Sequence, residues 1–231
     1  MKDKKICIIP ARKGSKRIKN KNIKNFCGKP IILQLLNKII KFQYFDEIFI
    51  STNCKKLPKL VKNLPVKIIE RSEELSNDYT DTKTVILDAI NNIHNFKISF
   101  NKVFCIYPTS VFVMLREIKL AEKLLRKNVP FVFSAKEYEH PIQRSLSSFG
   151  NGKLKVNHED LINKRTQSLK KNYHDAAQFY LGWKESWKNK KNVFDKKSKF
   201  ILLPKFYSVD IDELSDWPIA EQLWRFNKKT K

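Results

Sequence analysis

The chain has 231 residues, enough for one α/β domain with a full core and short for two independent ones. Hydrophobic residues make up 42% of it, which excludes a disordered or low-complexity chain. The formal net charge of +24 suggests nucleic acid or a membrane as a partner, but lysine is spread along the whole chain. A solvated lysine surface is the simpler interpretation, and a nucleic-acid-binding module remains the alternative from another functional class.

Short apolar runs alternate with longer helical patterns, which is typical of βαβ units on a parallel sheet. The predicted strands cover residues 5–10, 47–51, 66–70, 102–107, 131–135, 177–182, 198–202 and 207–211. The predicted helices cover residues 31–41, 55–64, 82–94, 115–127 and 214–226. The order predicts a doubly wound α/β fold with a largely parallel sheet, in a single domain over residues 1–231. Residues 136–173 break the pattern with polar segments and a turn, and are interpreted as a small excursion.

No apolar stretch has the length of a signal peptide or a membrane-spanning helix. The apolar run after the basic N-terminus covers only residues 6–10 and leads into Arg12 and Lys13. The four cysteines lie far apart, without zinc-ligand spacing. We therefore expect a reduced, cytoplasmic protein.

The first predicted strand runs into a basic loop. In an open α/β sheet, ligands bind beyond the carboxyl ends of the strands. The loop matches neither a Walker loop nor the G-x-G-x-x-G fingerprint, so an ordinary exposed loop and a phosphate site are equally good interpretations. Gly14 for close backbone approach, Ser15 as a donor and the cations Arg12, Lys16 and Lys21 would suit a triphosphate here, and Asn22 follows Lys21.

Asp210 and Asp212 flank Ile211 at the end of the last predicted strand. Side chains two apart in a strand point to the same side, so both carboxylates could meet one hard cation such as Mg²⁺. The alternative is that the pair only marks the start of the last helix, with Asp212 or Ser215 as its cap.

The basic loop and the residues after it resemble the opening motif of the acylneuraminate cytidylyltransferases, the CMP-sialic acid synthetase family. The motif reads here I-P-A-R-x-G-S-K-R-x-x-x-K-N, then N-F-C-G-K-P-I, and further matches follow at 51–53, 71–78, 107–110, 140–141 and 210–212. The resemblance implies a nucleotide-diphospho-sugar transferase-like fold. It also implies transfer of CMP from CTP to a nine-carbon acidic sugar with Mg²⁺, and a homodimer formed through residues 136–173.

The resemblance also implies roles for single residues. Asp210 and Asp212 would hold the metal, and together with Arg12 and Lys21 they would form the catalytic set. The metal, Arg12 and Lys21 would neutralise the charge of the departing pyrophosphate. We find no covalent nucleophile and expect a single displacement. For Arg71, a surface salt bridge would otherwise be the default interpretation. The implied nucleotide-binding residues are Arg12, Gly14, Ser15, Lys16, Lys21, Asn22, Arg71 and Thr82.

The stretch Y-H-D-A-A-Q-F-Y, which starts at Tyr173, resembles Y-H-D-A-G-Q-F-Y of the pseudaminic acid branch of this family. This implies pseudaminic acid as the sugar, with N-acetylneuraminic acid, legionaminic acid and Kdo as alternatives. Without the resemblance, core aromatics and a surface His174 would be the better interpretation. The implied sugar-binding residues are Tyr107, Gln143, Arg144, His174, Gln178 and Tyr180.

Four positions depart from the family's pattern. Lys13 and Ala177 stand where the family has glycine, Asn53 where it has aspartate and Val111 where it has proline. The loop geometry at Lys13 and any charge-based role at position 53 are therefore open questions for the structure.

Overall fold

A computed structural model describes residues 4–189 and 192–229, so the first three residues of the basic N-terminus lie outside the described part. The strands are β1 (Lys4–Pro10), β2 (Asn25–Phe26), β3 (Lys29–Pro30), β4 (Glu47–Thr52), β5 (Lys67–Glu70), β6 (Phe100–Ile106), β7 (Phe131–Glu137), β8 (Leu146–Ser148), β9 (Leu154–Val156), β10 (Tyr173–Trp183) and β11 (Lys199–Leu202). The helices are α1 (Ile31–Lys41), α2 (Lys56–Val61), α3 (Thr82–Ile93), α4 (Leu115–Leu124), α5 (Lys184–Lys188) and α6 (Asp216–Lys229).

A seven-stranded sheet forms the centre of the molecule, in the order β11-β7-β10-β6-β1-β4-β5. β1 pairs in parallel with β4 and β6, and β4 pairs in parallel with β5. β10 is inserted antiparallel between β6 and β7, and β11 pairs in parallel with β7. The predicted doubly wound, largely parallel class is confirmed, with one antiparallel strand. The carboxyl ends of β1, β4, β5 and β6 meet at one edge of the sheet.

Helices cover both faces of the sheet. Ile6 and Ile8 of β1 point into a cluster built with α3 and α5, whereas Cys7 and Ile9 point into a cluster built with α1, α4 and α6. All four of these side chains are fully buried. A strand buried on both faces reads as a continuous apolar run, which explains why β1 was readable from the sequence.

The predicted strand at 207–211 is wrong. After β11 the chain makes a 3₁₀ turn, Lys205–Tyr207, and continues to α6 without joining the sheet, as far as residues 208–212 are described. Ile211 is buried and Val209 packs against the same cluster of side chains. The alternation of Val209 and Ile211 with polar residues therefore results from burial against the helical layer and not from pairing in the sheet.

The predicted excursion is slightly too long. β7 continues to Glu137 and β10 begins at Tyr173, so the strands take residues from both of its ends. The part between them holds a small antiparallel hairpin, β8 with β9, which is separate from the central sheet. The hairpin exposes Leu146, Phe149 and Leu154.

Candidate active site

A cleft of 610 Å³ opens at the carboxyl edge of the parallel strands. It contains most of the residues that the sequence assigned to the nucleotide and the metal, together with Tyr107, which was assigned to the sugar. The nucleotide and metal residues in the cleft are Arg12, Ser15, Lys16, Lys21, Asn22, Arg71, Thr82, Asp210 and Asp212. Sequence reasoning missed other lining residues, among them Arg17, Asp78, Thr80 and Thr109. Arg17, Asp78 and Thr109 lie in segments that match the family's motifs, whereas Thr80 lies outside them.

The loop after β1 is fastened to the neighbouring strand β4 and the residue after it. The Ala11 N–H donates to Ser51 O at 2.9 Å, and Thr52 Oγ1 donates to Ala11 O at 2.6 Å. The Lys13 N–H donates to Asn53 Oδ1 at 2.7 Å. Lys13 does not adopt a positive φ, so the family's glycine is not required at this position. Asn53 needs only its neutral amide oxygen for this contact.

Gly14 gives the loop its turn. Its φ of 89° lies in the left-handed region that favours glycine. Asn22 Nδ2 donates to Arg12 O at 2.9 Å and closes the loop. Gly14 therefore shapes the loop without lining the main cleft, while Ser15 and Lys16 on its far side do line it.

Two cations of the loop converge on one carboxylate. Asp78 pairs with Arg12 Nη2 at 2.6 Å and with Lys16 Nζ at 2.6 Å. These hydrogen bonds, first from Lys16 and then from Arg12, hold the pKa of Asp78 below its usual value. The loop thus presents paired cations that coordinate anionic oxygens within the cleft.

Arg71 is a buried cation, only 4% exposed. Its Nε donates to Ser51 Oγ at 3.1 Å and its Nη2 to Ser51 O at 2.6 Å. Burial, and then the positive charge of Arg12, lower the pKa of Arg71 to about 10. The guanidinium therefore stays cationic at neutral pH and lines the cleft, which differs from the exposed salt bridge expected by default.

The aspartate pair lies opposite the loop. Asp212 Oδ1 contacts Arg17 Nη2 at 3.1 Å and Lys21 Nζ at 3.3 Å, and Lys21 also donates to Ile211 O. Asp210 is exposed to the cleft, yet partial loss of hydration raises its pKa, and the charge of Asp212 raises it further. The pair is thus a local concentration of negative charge beside the cationic loop.

Ser215 directly precedes the final helix, whereas Asp212 lies further back in the chain. α6 begins at Asp216, whose Oδ2 accepts the N–H groups of Asp212 at 2.9 Å and Glu213 at 2.7 Å. Asp216 therefore fixes the backbone before the helix. The carboxylate of Asp212 is left to face the cleft.

Two of the predicted sugar residues are tyrosines, Tyr107 directly after β6 and Tyr180 in the neighbouring strand β10. Tyr107 lines the cleft and its hydroxyl bonds Thr82 Oγ1. Tyr180 lies behind it, 7% exposed, with the two rings packed edge to face at 5.8 Å. Its hydroxyl donates to Asp175, and burial raises the pKa of both phenols. Tyr180 therefore supports the wall that Tyr107 forms.

His174 and Gln178 do not line the cleft. His174 Nδ1 lies 2.8 Å from Asp175 O, and its ring packs against Tyr138. Gln178 is 3% exposed and its Nε2 donates to Tyr207 O at 2.6 Å.

Gln143 and Arg144 are likewise bonded within the excursion. Gln143 Nε2 donates to Lys170 O at 3.0 Å, and Arg144 Nη2 donates to Lys164 O at 2.7 Å. Neither lines the cleft of this chain. The resemblance assigned these residues to the sugar from their positions in the sequence, which do not report the direction of a side chain.

A bulge in β10 explains this arrangement. Asp175 pairs with Ala135 and Tyr180 with Phe133, so on the β7 side the four residues between them lie opposite Ser134 alone. Ala177 sits in the bulge with a φ of 47° and lines the cleft. The family's glycine would suit this backbone better than alanine does.

Comparison with known proteins shows similarity along nearly the whole chain. The family model described as cytidylyltransferase matches residues 6–214. A pseudaminic acid cytidylyltransferase from Campylobacter jejuni serotype O:2 is 33% identical over 229 residues, covering 98% of this chain and 99% of the relative. A CMP-N,N'-diacetyllegionaminic acid synthase from Legionella pneumophila is 26% identical, with 97% of each chain covered.

A solved CMP:2-keto-3-deoxy-manno-octonic acid synthetase complexed with CTP shares the fold, at a TM-score of 0.68 and 11% identity over 97% of this chain and 100% of that one. The strand order, the cleft at the carboxyl edge and the near full-length match point to one conclusion. The chain belongs to the cytidylyltransferase family and is a nucleotidyltransferase enzyme.

Proposed function

We propose that this enzyme transfers CMP from CTP to pseudaminic acid, with Mg²⁺, and releases pyrophosphate. The observation that carries the proposal is one cleft in which a cationic loop faces a carboxylate pair. The relative from Campylobacter jejuni, similar along nearly its whole length, supports the choice of sugar.

The loop cations are suited to the triphosphate. Arg12 and Lys16 would exchange the single carboxylate of Asp78 for phosphate oxygens, which carry more negative charge. Lys21 reaches the aspartate pair from the same loop, so it lies where the leaving pyrophosphate and the metal would meet. The anomeric hydroxyl of the sugar would attack the α-phosphorus in one displacement, with charge stabilisation as the main contribution of the protein.

The residues present fit Mg²⁺. Asp210 and Asp212 would supply two hard oxygen ligands from one wall of the cleft. Partial burial, and then the negative charge of Asp212, raise the pKa of Asp210, and a bound cation would neutralise that charge. In the described part of the chain no group of three or more His, Cys, Asp or Glu side chains could hold a metal alone. Phosphate oxygens and water would therefore complete the coordination. When bound, the ion would neutralise charge on the phosphates.

The test of the function is pyrophosphate release from CTP across pseudaminic, N-acetylneuraminic and legionaminic acids and Kdo. We expect pseudaminic acid to give the highest kcat/KM, because each polar partner left unpaired by a wrong isomer costs about 1–3 kcal/mol. Activity should disappear with EDTA and return with Mg²⁺. A higher kcat/KM for another sugar would reject pseudaminic acid while leaving the cytidylyltransferase reaction intact.

Legionaminic acid is the second candidate sugar. The Legionella pneumophila relative, a CMP-N,N'-diacetyllegionaminic acid synthase by its name, is similar over 97% of this chain, although at lower identity. The same panel of sugars decides between the two.

The excursion is our candidate for a homodimer interface. The β8–β9 hairpin exposes Leu146, Phe149 and Leu154 at 53%, 71% and 60%. Apolar side chains gathered on one small hairpin favour a partner surface. Sedimentation analysis should give a dimer, and replacing Phe149 and Leu154 with serine should give monomers.

The cytoplasm is the proposed location of the enzyme. No helix within residues 4–189 or 192–229 is long and apolar enough to cross a membrane. CTP, the proposed substrate, is a cytoplasmic metabolite. Cell fractionation followed by immunoblotting would test the location.

A further inference from the structure

The segment that carries the aspartate pair has no strand to hold it. It leaves the 3₁₀ turn Lys205–Tyr207 and reaches α6 as irregular backbone over residues 208–212. A metal-binding pair must nevertheless keep a fixed geometry, since ligand positions decide whether a cation is bound. Other groups of the fold must therefore hold this segment in place.

Side chains from the sheet hold its beginning. Gln178 Nε2 donates to Tyr207 O at 2.6 Å, and Lys136 Nζ donates to Ser208 O at 3.1 Å. Gln178 belongs to the bulge of β10, and Lys136 to the neighbouring strand β7. Two adjacent strands thus each contribute one donor to successive carbonyls of the segment.

The end of the segment is held by other groups. Lys21 donates to Ile211 O, and Asp216 accepts the N–H of Asp212. Both of these groups are charged, and Lys21 also belongs to the cleft. Gln178 is therefore the neutral, buried member of the set.

The backbone of Gln178 is itself rigidly placed. Its N–H donates to Ser134 Oγ at 3.1 Å, while its C=O accepts Tyr107 N–H at 3.2 Å and Ser110 Oγ at 2.8 Å. The side chain is 3% exposed, and its Oε1 is buried with no hydrogen-bond partner among the described residues. Keeping an amide with one unpaired buried atom is unfavourable, which indicates that the Nε2 bond matters here.

We propose that Gln178 is a positioning residue for the metal: its amide ties the β10 bulge to the segment bearing Asp210 and Asp212, and it does not bind the sugar. The inference rests on the proposed function. Because Ala177 of the same bulge lines the cleft, the tie also joins the wall beside the substrates to the aspartates. Lys136 holds the next carbonyl of the segment, that of Ser208, in the same way.

The experiment compares Mn²⁺ binding by the CTP complex, without sugar, in the wild type and in Gln178→Met. Methionine keeps a similar volume and lacks the donor. We expect the Kd for Mn²⁺, measured by electron paramagnetic resonance, to rise about tenfold, as loss of one buried hydrogen bond would give. Amide exchange over residues 207–212 should become faster. In turnover assays the half-saturating Mg²⁺ concentration should rise, while the KM for the sugar stays within about twofold.

Gln143→Met is the matched control. Gln143 is also a buried amide that donates to a backbone carbonyl and leaves its Oε1 unpaired, but its bond lies within the excursion. Its loss should leave the Kd for Mn²⁺ unchanged. Lys136→Met provides an independent arm and should raise the Kd in the same direction as Gln178→Met.

An unchanged Kd in Gln178→Met together with a raised KM for the sugar would make Gln178 a sugar ligand and overturn the proposal. If that variant fails to fold, Lys136→Met decides, and an unchanged Kd there overturns it. A wild type that binds no Mn²⁺ with CTP would instead remove the metal from the proposed function. That failure is visible before any variant is made.

Discussion

The two walls of the cleft are built in different ways. The wall with Arg12 and Arg71 follows directly from strands β1 and β5, and its backbone is bonded to the neighbouring strand β4 and to the residue after it. The wall with Ala177 and the aspartate pair consists of a bulge and an irregular segment, which side chains hold in place. Anion-binding groups thus sit on a regular scaffold, whereas the candidate metal ligands depend on a few tertiary hydrogen bonds.

The largest expected effect is on the aspartate wall. Asp210→Asn and Asp212→Asn should each lower kcat by about a hundredfold or more, because a neutral amide is a poorer ligand for a hard cation and several kcal/mol of charge stabilisation are lost. Steady-state kinetics at varied Mg²⁺ measure this, with circular dichroism to confirm folding.

Asp78→Asn is the control from the other wall. Asp78 pairs with loop cations, so its loss should change the KM for CTP and leave the Mg²⁺ requirement in place. Normal turnover of Asp210→Asn and Asp212→Asn at saturating Mg²⁺ would contradict the proposed difference between the two walls.

Lys21 connects the walls, since it leaves the loop and contacts Ile211 O and Asp212. Lys21→Ala should lower kcat by about ten- to a hundredfold, as expected if the ammonium stabilises the leaving pyrophosphate. Steady-state kinetics at varied CTP separate an effect on kcat from an effect on the KM for CTP. Lys13→Ala, an exposed lysine of the same loop, should have little effect. A change confined to KM would make Lys21 a binding residue only.

The far end of β10 is regular and tightly packed. A Cβ at Gly182 would lie 2.5 Å from the buried ring of Phe131 and 2.9 Å from Trp187 Nε1. Gly182→Ala should therefore destabilise the protein by about 1–3 kcal/mol through overpacking. Thermal unfolding should show a lower Tm, by about 2–4 °C for each kcal/mol. An unchanged Tm would mean that Phe131 and Trp187 can move aside.

At the bulge end of the same strand, we expect a smaller change in stability, in the opposite direction. Ala177 has a φ of 47°, which is unfavourable for a residue with a Cβ. Ala177→Gly should stabilise the protein by about 1 kcal/mol, measured by denaturant unfolding. Ala176→Gly is the control, because Ala176 is buried without a positive φ, and its loss should be destabilising. Lower stability in Ala177→Gly would show that the bulge is not strained.

Much of the first wall could be predicted. Continuous apolar runs gave β1 and β6 nearly to the residue, and the motif after β1 named Arg12, Lys16 and Lys21 as cleft residues. The prediction of these residues succeeded because a loop at the carboxyl end of a central parallel strand lies at the edge of the sheet where ligands bind. Asp78 was not named as a cleft residue, because its pairing with Arg12 depends on a turn that is distant in the sequence.

The second wall was predictable only in part. Asp210 and Asp212 were named correctly as neighbours in one cleft, but the reason given, alternation along a strand, was wrong, since residues 208–212 form no strand. Gln178 and Tyr180 were recognised as parts of a motif, yet the structure turns both side chains into the protein.

The sequence by itself determined the class of fold, the order of its main elements and the loop that offers cations to a phosphate. These follow from local periodicity and from residue types that lie together in the chain. Only the tertiary structure decided the bulge in β10, the burial of Gln178 and the tethering of the aspartate segment. The physical reason is that these features arise where a buried side chain meets a backbone carbonyl distant in sequence, such as Gln178 at Tyr207, and no local pattern encodes that meeting.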